Sequence, residues 1–215
     1  MPQVVLETLV KRYPQLECVK SDIWNAYTIL EACFAKDNTL FTCGNGGSSA
    51  DADHIVGELL KAFVIKRPLP KSEQRFFKKS GFIGSIDLMN KLQSGLKAIN
   101  LMSQTAIFSA ASNDLGPEMG IAQTLCGLGR KGDVLLAIST SGNANNIYMA
   151  CQVAKARKMK IIGLTGKTGG HLKSMSDVCI IAPEKETFKI QELHLPIYHA
   201  LCIMVEKRFF GMEQE

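Results

Sequence analysis

The sequence predicts an α/β fold, a three-layer α/β/α sandwich around a five-stranded parallel sheet. Three observations carry this. Short, nearly continuous apolar runs recur along the chain, each stops at a turn rich in glycine, serine, asparagine or proline, and helical stretches lie between them. Strands buried on both faces read as unbroken apolar runs, and parallel neighbours require a crossover that is usually a helix. Right-handed crossovers then place helices on both faces of the sheet. A length of 215 residues fits a single domain spanning 1–215.

Residues 1–36 read as N-terminal helices, with Leu6, Leu9 and Val10 and then Ile23, Ala26, Ile29, Leu30 and Cys33 at helical spacing. Pro14 separates the two helices, because its ring disfavours helix at the residue before it. The first strand is expected at 39–43, ending at Gly44-Asn45-Gly46-Gly47, and the second at 105–110, ending at Ser112-Asn113-Asp114. Three more follow: 133–138 ending at Ser139-Thr140-Ser141-Gly142-Asn143, 160–164 ending at Thr165-Gly166, and 178–182 ending at Pro183. Helices are expected over 51–63, 117–128, 143–158 and 190–210. Residues 67–97 break the pattern with Pro68, Pro70, three glycines and a basic cluster of Arg67, Lys71, Arg75, Lys78 and Lys79. They read as a partly helical insertion over the carboxyl ends of the strands, either a functional segment or a plain surface excursion.

A hydrophobic content of 46% and a charged content of 21% exclude disorder as the main state. The net charge of +5 is scattered, with no basic stripe interleaved with aromatics, which argues against nucleic acid as a partner. Seven cysteines without CxxC spacing argue against a disulfide framework or a thiolate zinc site and point to a reducing compartment, the cytoplasm. The N-terminus lacks the pattern of a signal peptide, and no apolar run approaches the ~18 residues of a membrane span.

Two loops suit an anion, although a glycine-rich strand-to-helix turn and an N-cap of serine or asparagine are also ordinary structure. Gly44-Asn45-Gly46-Gly47-Ser48-Ser49 follows a strand and opens a helix, so its backbone can approach a ligand closely and free helix N–H groups favour negative charge. Ser49 stands where a dinucleotide fingerprint needs its third glycine. Ser139, Thr140 and Ser141 occupy the matching place after the third strand, where three hydroxyls and helix N–H groups can cradle a phosphate monoester. Gly166-Lys167-Thr168 is a turn and not a nucleotide loop, because Ile161 occupies the position of the required first glycine.

His54 and Glu58 lie four apart and share a helix face. Gln191 and His199 lie eight apart, about 80° around the axis of the last helix, provided that helix runs straight through Pro196. Imidazole, carboxylate and amide from two helices suit either Zn²⁺ or acid–base work, while His54 and Glu58 alone fit an ordinary surface pair. His194 falls about 140° from His199 and reads as structural.

Together these residues resemble the phosphoheptose isomerase family of SIS-domain, flavodoxin-like proteins. The matching segments are Cys43 to Ser48 with Asp51, His54 and Glu58; Asn113-Asp114; Gly132 to Leu136 leading into Ser139 to Asn143; Gly163 to Gly166; and Ile190-Gln191-Glu192 with His199. The resemblance implies conversion of the phosphosugar sedoheptulose 7-phosphate to D-glycero-D-manno-heptose 7-phosphate, a precursor of surface-glycan heptose, in a homotetramer with active sites between subunits. It further implies zinc at His54, Glu58, Gln191 and His199, with Glu58 moving a proton between C1 and C2 and His199 serving the oxygens. Asn45, Gly46, Gly47, Ser48, Asn113, Asp114, Ser139, Thr140, Ser141 and Gln191 would bind substrate. The sequence departs from the family at Ala144, where a further phosphate-binding serine is common, at Phe188, where some members carry an acid, and in the long 67–97 segment. Two other readings stand beside this one: a non-catalytic SIS protein of the replication-initiator-associated type, and an isomerase or sensor of another phosphosugar.

Overall fold

The structure, a computed structural model, describes residues 1–211. Helix α1 (Pro2–Arg12), a 3-10 segment (Pro14–Val19) and α2 (Lys20–Phe34) precede β1 (Leu40–Cys43) and α3 (Gly47–Leu60). The segment that follows contains α4 (Lys71–Ser80) and α5 (Ser85–Lys91) and leads into β2 (Ala98–Asn100). Then come α6 (Thr105–Asp114), α7 (Met119–Leu128), β3 (Val134–Ser139), α8 (Asn145–Ala156), β4 (Lys160–Thr165), α9 (Gly170–Met175), β5 (Val178–Ile181) and α10 (Thr187–Phe210).

All five strands are parallel, in the order β2-β1-β3-β4-β5. Alternate side chains enter two separate cores. Leu40, Val134, Leu136, Ile138, Ile162 and Leu164 pack under α1, α2, α3 and α10, while Phe41, Leu135, Ala137 and Ile161 pack under α7, α8 and α9. Both faces are therefore covered, which is why the strands read as unbroken apolar runs rather than as an alternation. The order reverses between β1 and β3, and such switch points open a crevice at the carboxyl edge. The loops leaving β1 and β3 flank it.

Two sequence expectations are corrected. Residues 105–110 are helical, not a strand: they belong to α6, where Phe108 packs against the second core. The edge strand beside β1 is the three-residue β2, with Leu40 opposite Ala98. The 67–97 segment also lies elsewhere than expected. It leaves the end of α3 and re-enters the sheet at the start of β2, so it sits at the amino edge, away from the loops that follow β1 and β3. Within its basic cluster, Arg67 is 1% exposed rather than a surface charge. No helix among the described residues is long and apolar enough to cross a membrane.

Candidate active site

Most of the expected residues gather in two groups, one at the start of α3 and one along its length against α10; Asn113 and Asp114 join neither. The upper group lies at the switch-point crevice. Asn45 and Asn146 exchange reciprocal amide hydrogen bonds of 2.9 Å, tying the glycine loop to the first turn of α8. Gln191, in the first turns of α10, lies against Gly47, where a Cβ would stand 2.6 Å from Gln191 Nε2. Ser139, Thr140 and Ser141 form the turn after β3, closed by the Gly142 N–H donating to the Ser139 carbonyl at 3.0 Å. Gly142 has φ +69°, and a Cβ there would meet the Gly169 carbonyl oxygen at 1.9 Å, so only glycine lets this turn seat against the loop after β4. Ser48 and Ser139 are buried, whereas Asn45, Gly46 and Gly47 are exposed.

The lower group lies where α3, from Asp51 to Glu58, meets the middle of α10. His54 Nε2 is 3.1 Å from Glu58 Oε1, and His54 Nδ1 is 3.0 Å from the Tyr198 hydroxyl, which donates to Asp51 Oδ1 at 3.2 Å. The imidazole of His199 stands edge-on to His54 and to Tyr198, each with ring centroids 5.0 Å apart, and Phe63 covers it at 5.3 Å. Either ring tautomer of His54 satisfies the contact with the Tyr198 hydroxyl, and His54 Nε2 faces a Glu58 carboxylate oxygen. Glu58 Oε2, His199 Nε2 and Asp51 Oδ2 are buried without a hydrogen-bond partner. Such lone pairs are costly unless a ligand, water or ion meets them.

Burial, reinforced by neighbouring His54 and opposed by Glu58, lowers the pKa of His199, so its imidazole is neutral at pH 7. Burial raises the pKa of Asp51 and, with Asp51 beside it, that of Tyr198. His199 also lines an apolar groove of about 500 Å³ between α1 and α10, bordered by Val5, Leu9, Arg12, Pro196 and Lys207.

Glu58 lies eleven residues after Gly47, about 16 Å along the helix at 1.5 Å per residue. Likewise Gln191 lies eight residues before His199 on a helix continuous through Pro196, about 12 Å along the axis. A single chain therefore joins His54, Glu58 and His199 but holds Gln191 with the upper group. Two imidazoles and a carboxylate are donors of the kind zinc takes, and Glu58 Oε2 and His199 Nε2 have no hydrogen-bond partner. Among the described residues, however, no three His, Cys, Asp or Glu stand at metal-ligating spacing. Asn113 and Asp114 end α6, exposed and hydrogen-bonded to each other at 2.8 Å, with no hydrogen bond to either group.

Three contributors escaped sequence reasoning. Tyr198 and Phe63 look like ordinary apolar positions. Asn146 is one of three asparagines within four residues, and that density was the available signal. His194 is structural as expected, wholly buried with Nε2 3.0 Å from the Thr165 carbonyl.

The SIS domain family matches residues 112–204. Phosphoheptose isomerase from Nitratiruptor is 37% identical over 193 residues, covering 90% of this chain and 89% of that protein. The Thiobacillus denitrificans enzyme is 36% identical over 189 residues, 86% and 83% of the two chains. Among solved structures, phosphoheptose isomerases from Francisella tularensis (TM-score 0.75, 28% identity) and Neisseria gonorrhoeae (0.73, 29%) each align over 94% of both chains. With relatives this similar over nearly their whole length, the chain belongs to the phosphoheptose isomerase family of SIS-domain proteins.

Proposed function

We propose that this protein is an aldose–ketose isomerase that converts sedoheptulose 7-phosphate to D-glycero-D-manno-heptose 7-phosphate through an enediol(ate). The observation that carries the reading is the meeting of Glu58 and His199 at His54, each with a buried polar atom that makes no hydrogen bond, Lys61 Nζ standing 3.8 Å from Glu58 Oε2. Isomerisation requires two proton movements. Glu58 takes a proton from C1 of the ketose and returns it to C2; His199 takes the O1 proton and delivers one to O2. Atoms balance, and the product is the C1 aldehyde. A neutral imidazole suits the second movement because it both accepts and donates near pH 7. The serine and threonine hydroxyls after β3, with Asn45 and Ser48 across the crevice, hold the phosphate.

The two groups lie far apart along α3 of one chain. That separation supports a site assembled between copies, with the cradle of one chain facing the acid–base cluster of another, in a homotetramer. Zinc would need His54, Glu58 and His199 to close from their present spacing to ligating distance, with a Gln191 completing the set, and would there polarise the substrate oxygens and stabilise the enediolate. Seven free thiols support a cytoplasmic location.

The test is to incubate the protein with a panel of ketose phosphates, with and without chelator, and follow aldose formation by NMR. Turnover of sedoheptulose 7-phosphate alone is expected. Equal turnover of fructose 6-phosphate would sink the seven-carbon assignment, and no turnover of any phosphosugar would favour a non-catalytic binding protein.

A further inference from the structure

The only ion pair with both side chains fully buried among the described residues is Arg67–Glu206, at 2.7 Å and 0% exposure on each side. Burying two charges rarely stabilises a fold more than apolar side chains of similar volume would, so stability alone is a weak account of it. Its hydrogen bonds are more informative. Helix α3 ends without glycine and without a left-handed cap, Lys61 being extended. Its last carbonyls are instead met by Arg67, which returns eight residues later to donate to the Leu59 carbonyl at 2.7 Å and to the Glu58 carbonyl at 3.0 Å. Arg67 Nε donates to Glu206 Oε1 at 2.8 Å, and its guanidinium lies 4.7 Å from the Phe210 ring centroid.

Glu206 in turn accepts the Phe63 N–H at 2.8 Å and the Val64 N–H at 2.9 Å. Phe63 is the residue whose ring covers His199. Glu206 itself stands on α10 two turns beyond His199. One buried pair thus holds the backbone of Glu58, the backbone behind the ring on His199, and the junction between the two helices that carry them.

We propose that Arg67 and Glu206 are a positioning pair for the acid–base couple, fixing the last turn of α3 against α10 so that Glu58 meets C1 and C2 while His199 meets the oxygens they carry. This rests on the isomerase reading above. The planar fork of arginine is essential, because a lysine ammonium cannot meet two carbonyls and a carboxylate in one plane.

The test compares Arg67→Lys, the apolar double variant Arg67→Met/Glu206→Leu, Glu58→Gln and Glu58→Gln/Arg67→Lys, with sedoheptulose 7-phosphate as substrate. Misplacement of the order of 1 Å slows catalysis on the order of 100-fold, so kcat should fall by ~10- to 100-fold in both Arg67 variants. KM should stay within about twofold and unfolding should remain cooperative, since the phosphate cradle lies at the other end of α3. In the Glu58→Gln background, Arg67→Lys should cost less than in the native chain, because the part of its effect that acts through the Glu58 carboxylate is already lost. Native kcat in Arg67→Lys, or a fall in kcat matched by the unfolded fraction, overturns the proposal. Glu58→Gln separates the two levels. If it is inactive while Arg67→Lys is native, only the positioning role fails; if it turns over normally, the base assignment fails and the positioning role with it.

Discussion

Replacing His194 with glutamine should flatten the dependence of folding stability on pH between about 6.5 and 4. His194 is wholly buried on α10, with one ring nitrogen bonded to the Thr165 carbonyl and Nδ1 without a partner. Protonating Nδ1 would bury an uncompensated charge, and burial accordingly drives the pKa down to about 4. In the unfolded chain the imidazole titrates at about 6.5. Below that pH the unfolded state binds a proton that the folded state refuses, so stability falls with falling pH until the folded imidazole itself titrates near 4. At about 1.36 kcal/mol per pH unit, the gap amounts to roughly 3 kcal/mol. Glutamine can still donate to the Thr165 carbonyl but does not titrate. Guanidinium unfolding at one protein concentration, repeated between pH 7.5 and pH 4, should show the native chain losing about 3 kcal/mol more than His194→Gln. Asp51 and His199 titrate in both proteins and drop out of the difference. Parallel curves would refute the reasoning.

Other outcomes follow from the loops. Ala144 occupies the N-cap of α8 with no side-chain cap, so Ala144→Ser should raise stability by about 1 kcal/mol in denaturant unfolding. Gly47→Ala pushes only the tip of the Gln191 side chain, so its unfolding midpoint should barely move while KM for the phosphosugar rises. Gly142→Ala drives a Cβ into the Gly169 carbonyl at positive φ, and the same unfolding assay should show a loss of more than about 1 kcal/mol. Chelation followed by dialysis should lower turnover, and zinc should restore it; turnover indifferent to both removes the metal from the scheme.

Four strands were legible in the sequence because each is an apolar run stopped by a turn that also starts a helix. The edge strand was not. Ala98–Asn100 is too short to register, while residues 105–110 present six apolar or small residues that fit a strand or a buried helix equally well. Only the packing of Phe108 on the second core decides between them. His54 and Glu58 were legible because helical spacing alone brings them together. Their union with His199 depends on α3 and α10 running side by side, and no spacing along the chain encodes that. The separation of Gln191 from this group follows from the same alignment: Gly47 abuts Gln191, so residues eleven further on cannot. Arg67 was hidden among four exposed basic residues. Its counterpart carried the available signal, since Glu206 is a lone acid directly after Cys202-Ile203-Met204-Val205 on a buried helix.

Glu58→Gln bears most directly on the claim that a carboxylate on α3 moves the carbon-bound proton. Removing a positioned general base typically slows turnover by ~10²- to 10⁴-fold. The variant, assayed on sedoheptulose 7-phosphate alongside native protein of equal thermal midpoint, should therefore lose at least about 100-fold in kcat. Turnover within a few-fold of native would place the proton transfer on some other group and contradict the account.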